Sequence, residues 1–117
     1  MVENETLFHK IVDGRIPSTK VYEDDYIYAF KDINPVAPFH CLIIPKIMSG
    51  LSGLDKATDD HEAILGKMMV AASKIAKEQN ITNGFRTVIN TGEDGGQTVS
   101  YIHMHMIAGK PLGWPPG

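Results

Sequence analysis

Two histidines, His103 and His105, stand two residues apart in the run Ser100 to Gly109, SYIHMHMIAG, whose other members are mostly apolar. A strand sends successive side chains to opposite faces, so Tyr101, His103 and His105 line one face and Ile102, Met104 and Met106 the other. The apolar face can pack on a core, leaving two imidazoles about 6 to 7 Å apart along the strand for a ligand to reach. Such a pair suits a metal, with His103, His105 and His40 giving three nitrogens and Asp32 an oxygen. It equally suits a phosphorus centre, with one neutral imidazole as nucleophile and the other, protonated, as donor. Spacing alone does not choose. The segment Gly95-Gly96-Gln97-Thr98 favours phosphorus, because its glycines let backbone N–H groups approach an anion and its Gln and Thr add side-chain donors. The plainer alternative, hydrogen-bonded polar histidines beside an ordinary hairpin turn, stays open. His9 and His61 fall in predicted helices among charged neighbours and are expected on solvated faces.

The chain that must position these groups has 117 residues, 43% hydrophobic and 21% charged, which suits a single domain over residues 1–117 with one core. A net charge of −3 argues against a general nucleic-acid binder, although a local set of donors can still hold a small anion. Cys41 is the sole cysteine, which rules out an intrachain disulfide or a cysteine-based zinc cluster. MVENETLFHK lacks a basic start followed by a long apolar core, and the apolar runs are too short to span a bilayer. The expected location is the cytoplasm, or the nucleus as well, with no membrane partner.

Apolar spacing in ETLFHKIVD predicts a short helix over 5–13, stopped at Gly14. Two strands, KVYE and YIYAF, should follow, turned at Asp24-Asp25. Pro35 and Pro38 keep 36–39 irregular, and His40 to Ile44 forms a buried strand ended by Pro45. The segment from Met48 to Ala57 reads as a connector with no element of its own. A long amphipathic helix is expected over roughly 59–79, with Asp59, Asp60 and Glu62 at its start and Lys74 and Lys77 near its end. Its Met-rich stripe should cover a sheet and could also meet a helix of a second subunit. FRTVIN, 85–90, is a strand pairing antiparallel with the histidine strand across the glycine-rich loop 91–96. The tail KPLGWPPG is too irregular for either element, and its Trp114 reads as a packing or interface anchor.

The blocks FHKIVDGRIP, YEDD, AFKDINPVAPFHCLIIPK, NTGEDGGQTV, the histidine strand and the terminal WPPG resemble, in that order and over nearly the full length, histidine-triad (HIT) proteins of the Hint branch, the purine nucleoside phosphoramidases. The family signature is His-φ-His-φ-His-φ-φ, with φ hydrophobic; here it reads Tyr101-Ile102-His103-Met104-His105-Met106-Ile107, with tyrosine in place of the first histidine. The resemblance implies an α+β HIT-like fold, an antiparallel sheet of about five strands with one long and one short helix, the sheet continuing across a homodimer. It implies that His103 attacks the α-phosphorus of an adenosine or guanosine phosphoramidate, releasing the amine, and that water hydrolyses the nucleotidyl-histidine to AMP or GMP. His105 would contact phosphate oxygens and move a proton, Gly96, Gln97 and Thr98 would bind phosphate, with Thr98 also aiding the leaving group, and Asn90 would position the α-phosphate side. Asp32 is implied at the ribose hydroxyls, Ile33, Phe30, Phe8 and Ile16 around the base, and His40 beside the triad. Trp114 would reach the partner subunit's active site, and no cofactor or metal is implied.

The family nucleophile is oriented partly by the backbone carbonyl of the first triad residue, which tyrosine also supplies, so catalysis should survive the replacement. The Tyr101 hydroxyl could additionally bond His40. Two other classes compete: a nucleotide-binding regulator with little turnover, and a zinc-binding protein.

Overall fold

The computed structural model describes residues 5–117; residues 1 to 4, the start of the segment read for a leader, lie outside the described residues. Helix α1 spans Leu7–Val12, starting where extended Thr6 accepts the Phe8 and His9 N–H groups on its side chain. The ring of His9 completes the cap by accepting the Thr6 N–H on Nδ1 at 2.9 Å. His9 is therefore a capping residue packed edge-on to Tyr101, at 4.8 Å between ring centres, and not a solvated-face histidine. Leu7–Val12 falls short of the predicted 5–13 because Thr6 caps and Asp13 closes the turn.

Five strands follow the predicted order: β1 (Lys20–Glu23), β2 (Ile27–Lys31), β3 (Phe39–Pro45), β4 (Phe85–Val88) and β5 (Met104–Ala108). They form one sheet ordered β1-β2-β3-β5-β4, every neighbouring pair antiparallel. The β1–β2 turn sits where two aspartates were expected, with Asp24 accepting the N–H groups of Tyr26 and Ile27 at 2.8 Å each. In β3 the ladder continues one residue to either side of the predicted bounds. In β5, by contrast, regular pairing begins only at Met104, so Tyr101 to His103 form an irregular approach to the strand. Helix α2 (Glu62–Glu78) is preceded by a 3-10 turn, Asp59–His61, in which His61 repeats the role of His9 by accepting the Thr58 N–H. His61, too, is a cap rather than a solvated-face residue.

Alternation along the strands divides the interior into two layers. One face carries Ile27, Ala29, Cys41, Ile43, Met104 and Met106 against Met68, Ala71, Ala72 and Ile75 of α2. The other carries Phe30, Leu42, Ile44 and Tyr101 against Phe8 and Ile11 of α1. Burying a ring such as Phe8 is worth roughly 2 to 3 kcal/mol, enough to hold a helix of this length that could not persist alone. The segment read as a bland connector is more than that. It includes a 3-10 turn at Leu54–Lys56, and Leu51 is fully buried. No helix of the described residues is long and apolar enough to cross a membrane.

Candidate active site

β3 and β5 lie side by side with His40 opposite Ile107 and Leu42 opposite His105, which brings the rings of His40 and His105 to 5.2 Å between centres. His103 and His105 are 5.3 Å apart at 64°, closer than an extended strand alone would give. The edge of Phe8 abuts His103 at 5.0 Å. The three histidines thus share the α1 face of the sheet, His40 and His105 on strands held by full ladders and His103 immediately before β5.

Hydrogen bonds fix where each ring carries its proton. The Nδ1–H of His103 donates to the Tyr101 carbonyl at 2.7 Å, leaving the lone pair on Nε2. His40 has the reverse arrangement: its Nδ1 accepts the Val36 N–H at 3.2 Å, so its proton sits on Nε2, 2.9 Å from Nδ1 of His105. His105 accepts there, which places its own N–H on Nε2. One ring therefore presents a lone pair and its neighbour an N–H. Asp32 Oδ2 lies 3.4 Å from His40 Nε2, while Oδ1 accepts the Asn34 N–H at 2.8 Å.

Burial holds the pKa of His103 below the ordinary imidazole value, against the opposing pull of the Tyr101 carbonyl and the Asp32 charge. For His105 burial and the repulsion of His103 and His40 push it down to about 4. Both rings are neutral near pH 7, so the expected protonated partner is not present beforehand; a bound phosphate would have to bring its charge to raise it. Cys41 is buried, with its thiol pushed up to about 12, and faces the α2 layer, away from the histidines.

Beside this pair opens a cleft of about 760 Å³ bordered by Phe8, Ile16, Phe30, Asp32, Ile33 and Thr98. Six positions expected around base, ribose and phosphate thus meet in one place. Ile33 is 91% exposed, an apolar side chain standing at the rim with no protein cover. The glycine-rich loop is built as a tight structure: Gly96 has φ of +80°, and any Cβ on Gly95 would collide with the Thr91 backbone. Here one expectation needs correction. The Gln97 amide donates to the carbonyls of Ser52 and Val99, while its oxygen accepts the Gly92 N–H, so it fastens the loop and is not a free phosphate donor. Asn90, expected at the α-phosphate side, donates to the Gly95 carbonyl at 2.7 Å and so braces the same loop.

Two further corrections concern Tyr101 and the metal set. The Tyr101 hydroxyl donates to the Pro45 carbonyl and not to His40. Among the described residues the groups whose ligand atoms converge within 4.8 Å are Asp32, His40 and His105; His103 is outside that set, with its Nδ1 tied to the Tyr101 carbonyl. Trp114, in the tail, is 84% exposed and does not border the cleft; the tail is fastened by Arg86 donating to the Gly113 carbonyl at 2.7 Å. The Leu51 carbonyl, which accepts the Ile102 N–H at 2.8 Å, gave no signal in the sequence beyond a small-residue context.

Residues 13–112 match the HIT domain family. The chain belongs to that family. Among curated relatives, the 14 kDa zinc-binding protein of Zea mays is 49% identical, covering 98% of this chain and 90% of its own length. The protein named adenylylsulfatase HINT1 of Arabidopsis thaliana is 48% identical, covering 98% and 78%. Among solved structures, a HIT family hydrolase from Legionella pneumophila superimposes with a TM-score of 0.91 at 41% identity, covering 97% of this chain and 100% of that one. The five-stranded antiparallel sheet with its helices is the HIT fold.

Proposed function

We propose that the protein hydrolyses purine nucleoside 5′-phosphoramidates through a nucleotidyl-histidine. The observation that carries this reading is the opposed tautomers: His103 offers a lone pair at Nε2 and His105 an N–H at Nε2, beside a cleft with an apolar floor and a carboxylate rim. The anionic substrate raises the proton affinity of His105, which takes up a proton on Nδ1 as the His40 Nε2–H turns to Asp32 Oδ2, and so acts as the imidazolium. His103 Nε2 attacks phosphorus, the P–N bond breaks, and the departing nitrogen takes its electron pair and the His105 proton. Water then attacks the phosphorus, gives its proton to His105, and the N–P bond returns its electrons to His103. Asp32 would accept the ribose hydroxyls, and Thr98 would donate at the phosphate end. The kinship with the Arabidopsis adenylylsulfatase suggests adenylyl sulfate as a second substrate, since the same nucleotidyl-histidine would form with sulfate leaving.

The test is rapid quenching of the protein with an adenosine phosphoramidate or adenylyl sulfate, followed by mass spectrometry. An AMP adduct on His103 is expected; turnover without an adduct would overturn the covalent step, and binding without turnover would favour a regulatory nucleotide-binding role. A zinc reading has one specific observation behind it, the convergence of Asp32, His40 and His105, and the naming of the maize relative. Zinc held after dialysis, and lost in His40→Ala, would support it.

A second copy completes the reading. Met69 and Val70 of α2 and Phe85 of edge strand β4 are exposed apolar side chains, and β4 has one free edge. A homodimer continuing the sheet would cover them and bring Trp114 to the partner's cleft. Light scattering at micromolar concentration should give twice the mass of the chain; a monomer would remove Trp114 from the site.

A further inference from the structure

The peptide unit that joins Tyr101 to Ile102 orients the nucleophile, since its carbonyl accepts the His103 Nδ1–H at 2.7 Å. It lies in the irregular approach to β5, outside the strand ladder, so the sheet does not hold it. Two other contacts do. Its N–H, on Ile102, donates to the Leu51 carbonyl at 2.8 Å, and the Tyr101 phenol donates to the Pro45 carbonyl. The acceptors are Pro45, the last residue of β3, and Leu51, in the short segment that follows it.

That segment is shaped for the purpose. Leu51 N–H closes a turn on the Met48 carbonyl at 2.9 Å, and the two central residues, Ser49 and Gly50, both have left-handed φ, 51° and 80°. Such a turn favours glycine and small polar residues. The Leu51 side chain is fully buried, which fixes the turn from one side, and His61 Nε2 donates to the Ser49 carbonyl at 2.8 Å, which fixes it from the start of α2. A peptide group that donates through its N–H becomes a stronger acceptor through its C=O. The Leu51 carbonyl therefore both holds the 101–102 peptide and polarises it toward His103.

We propose that the Pro45–Leu51 segment is a clamp for the catalytic peptide, with Tyr101 and Leu51 acting as positioning residues that hold the His103 ring in its Nδ1-protonated form and its Nε2 toward phosphorus. The kinetic part of this inference rests on His103 being the nucleophile; the geometric part does not. It also gives tyrosine at 101 a reason, because the phenol reaches the Pro45 carbonyl from a backbone position at which the shorter imidazole would stop short.

The test compares the full chain with Tyr101→Phe, which removes one hydroxyl, and Gly50→Ala, whose added methyl meets open space and so strains only the left-handed turn. The first readout is the ring nitrogen spectrum of ¹⁵N-histidine-labelled protein; the second is turnover of an adenosine phosphoramidate. In Tyr101→Phe the His103 Nδ1 signal should move toward the tautomer-averaged position and kcat should fall roughly ten-fold with KM held within about two-fold. Gly50→Ala should shift the same signal in the same direction by less. A folded Tyr101→Phe with a wild-type His103 spectrum overturns the clamp, and so does an unmoved signal in Gly50→Ala, which decides the matter should Tyr101→Phe fail to fold. Wild-type protein that turns over nothing overturns the nucleophile assignment, while the ring signals still decide the clamp.

Discussion

Three of the five histidines take a backbone N–H on Nδ1: His9 from Thr6, His61 from Thr58 and His40 from Val36. His103 does the opposite and donates from Nδ1 to a carbonyl. The side chain is the same throughout; the local backbone chooses the tautomer. At His9 and His61 the arrangement closes a Thr-x-x-His capping box, and the Nε2 of His61 is spent on the Ser49 carbonyl. At His40 the same Nδ1 contact instead turns an N–H toward His105, so a structural motif becomes one end of a chemical one. What separates the groups is what holds the inner nitrogen: at His9 and His61 a cap claims it and the ring serves a helix start, whereas at His103 and His105 a carbonyl and a neighbouring ring hold Nδ1 and leave Nε2 as the outer atom.

The sharpest way to break that division is to remove one histidine from each group. His103→Ala should lower kcat by at least about 10³-fold and abolish the AMP adduct, because no other side chain presents a lone pair at that point. A loss of the same size in His9→Ala, assayed under conditions where both variants are folded by circular dichroism, would erase the distinction between capping and catalytic rings. Next comes His40→Phe, which keeps an aromatic ring but removes the donor to His105 Nδ1. With nothing at Nδ1 to orient its ring, His105 should aim its Nε2–H at substrate only part of the time, and kcat should fall by about 10- to 100-fold with little change in KM. An unchanged kcat in that variant would mean that His105 needs no such support.

How far the sequence carries this division differs between the two groups. The strand order, the long helix and the apolar alternation of β3 and β5 follow from periodicity, because burial on one face imposes period two on strands and a stripe on helices. The convergence of Phe8, Ile16, Phe30, Asp32, Ile33 and Thr98 on one cleft was legible only through resemblance to a family, since these residues come from four separate stretches and no spacing rule links them. The caps were missed although both read Thr-x-x-His, because a capping box is ordinarily recognised by Glu or Gln at its fourth position. The duties of Gln97 and Leu51 were illegible for a different reason. Each makes its key bond to a backbone atom more than forty residues away, at 97 to 52 and 51 to 102, and a backbone carbonyl leaves no mark in the side-chain pattern.

A third test uses pH. Burial lowers the pKa of both His103 and His105, the latter to about 4. A group whose folded value is depressed in this way binds its proton more readily in the unfolded chain, so the stability tied to its neutral form is fully present above the ordinary value of 6.5 and is lost as pH falls from there toward about 4. The urea midpoint should therefore drop between pH 7 and 5, and His105→Phe should flatten that drop. Because His105 must gain a proton as the anionic substrate binds, kcat/KM of the free protein should fall as pH rises above the ordinary value of 6.5, rather than staying level from pH 6.5 to 7.5. A midpoint that is level from pH 7 to 5 in the wild-type chain would contradict buried neutral imidazoles in the site.

The smallest effect separates the two caps from each other. Thr6→Ala and Thr58→Ala each delete a side-chain acceptor at a helix start and should each cost about 1 kcal/mol in urea unfolding. They differ in what hangs on the helix. Helix α1 carries Phe8 and Ile11 into the cleft wall and sets the Phe8 edge against His103, whereas the first turn of α2 contacts the sheet on the far side. Loosening α1 should thus raise KM for an adenosine phosphoramidate by two- to five-fold, a change of about 0.4 to 1 kcal/mol in binding, while Thr58→Ala leaves KM where it is. Equal KM values in the two variants, at equal loss of stability, would show that α1 is only a cover for the sheet and takes no part in holding the nucleotide.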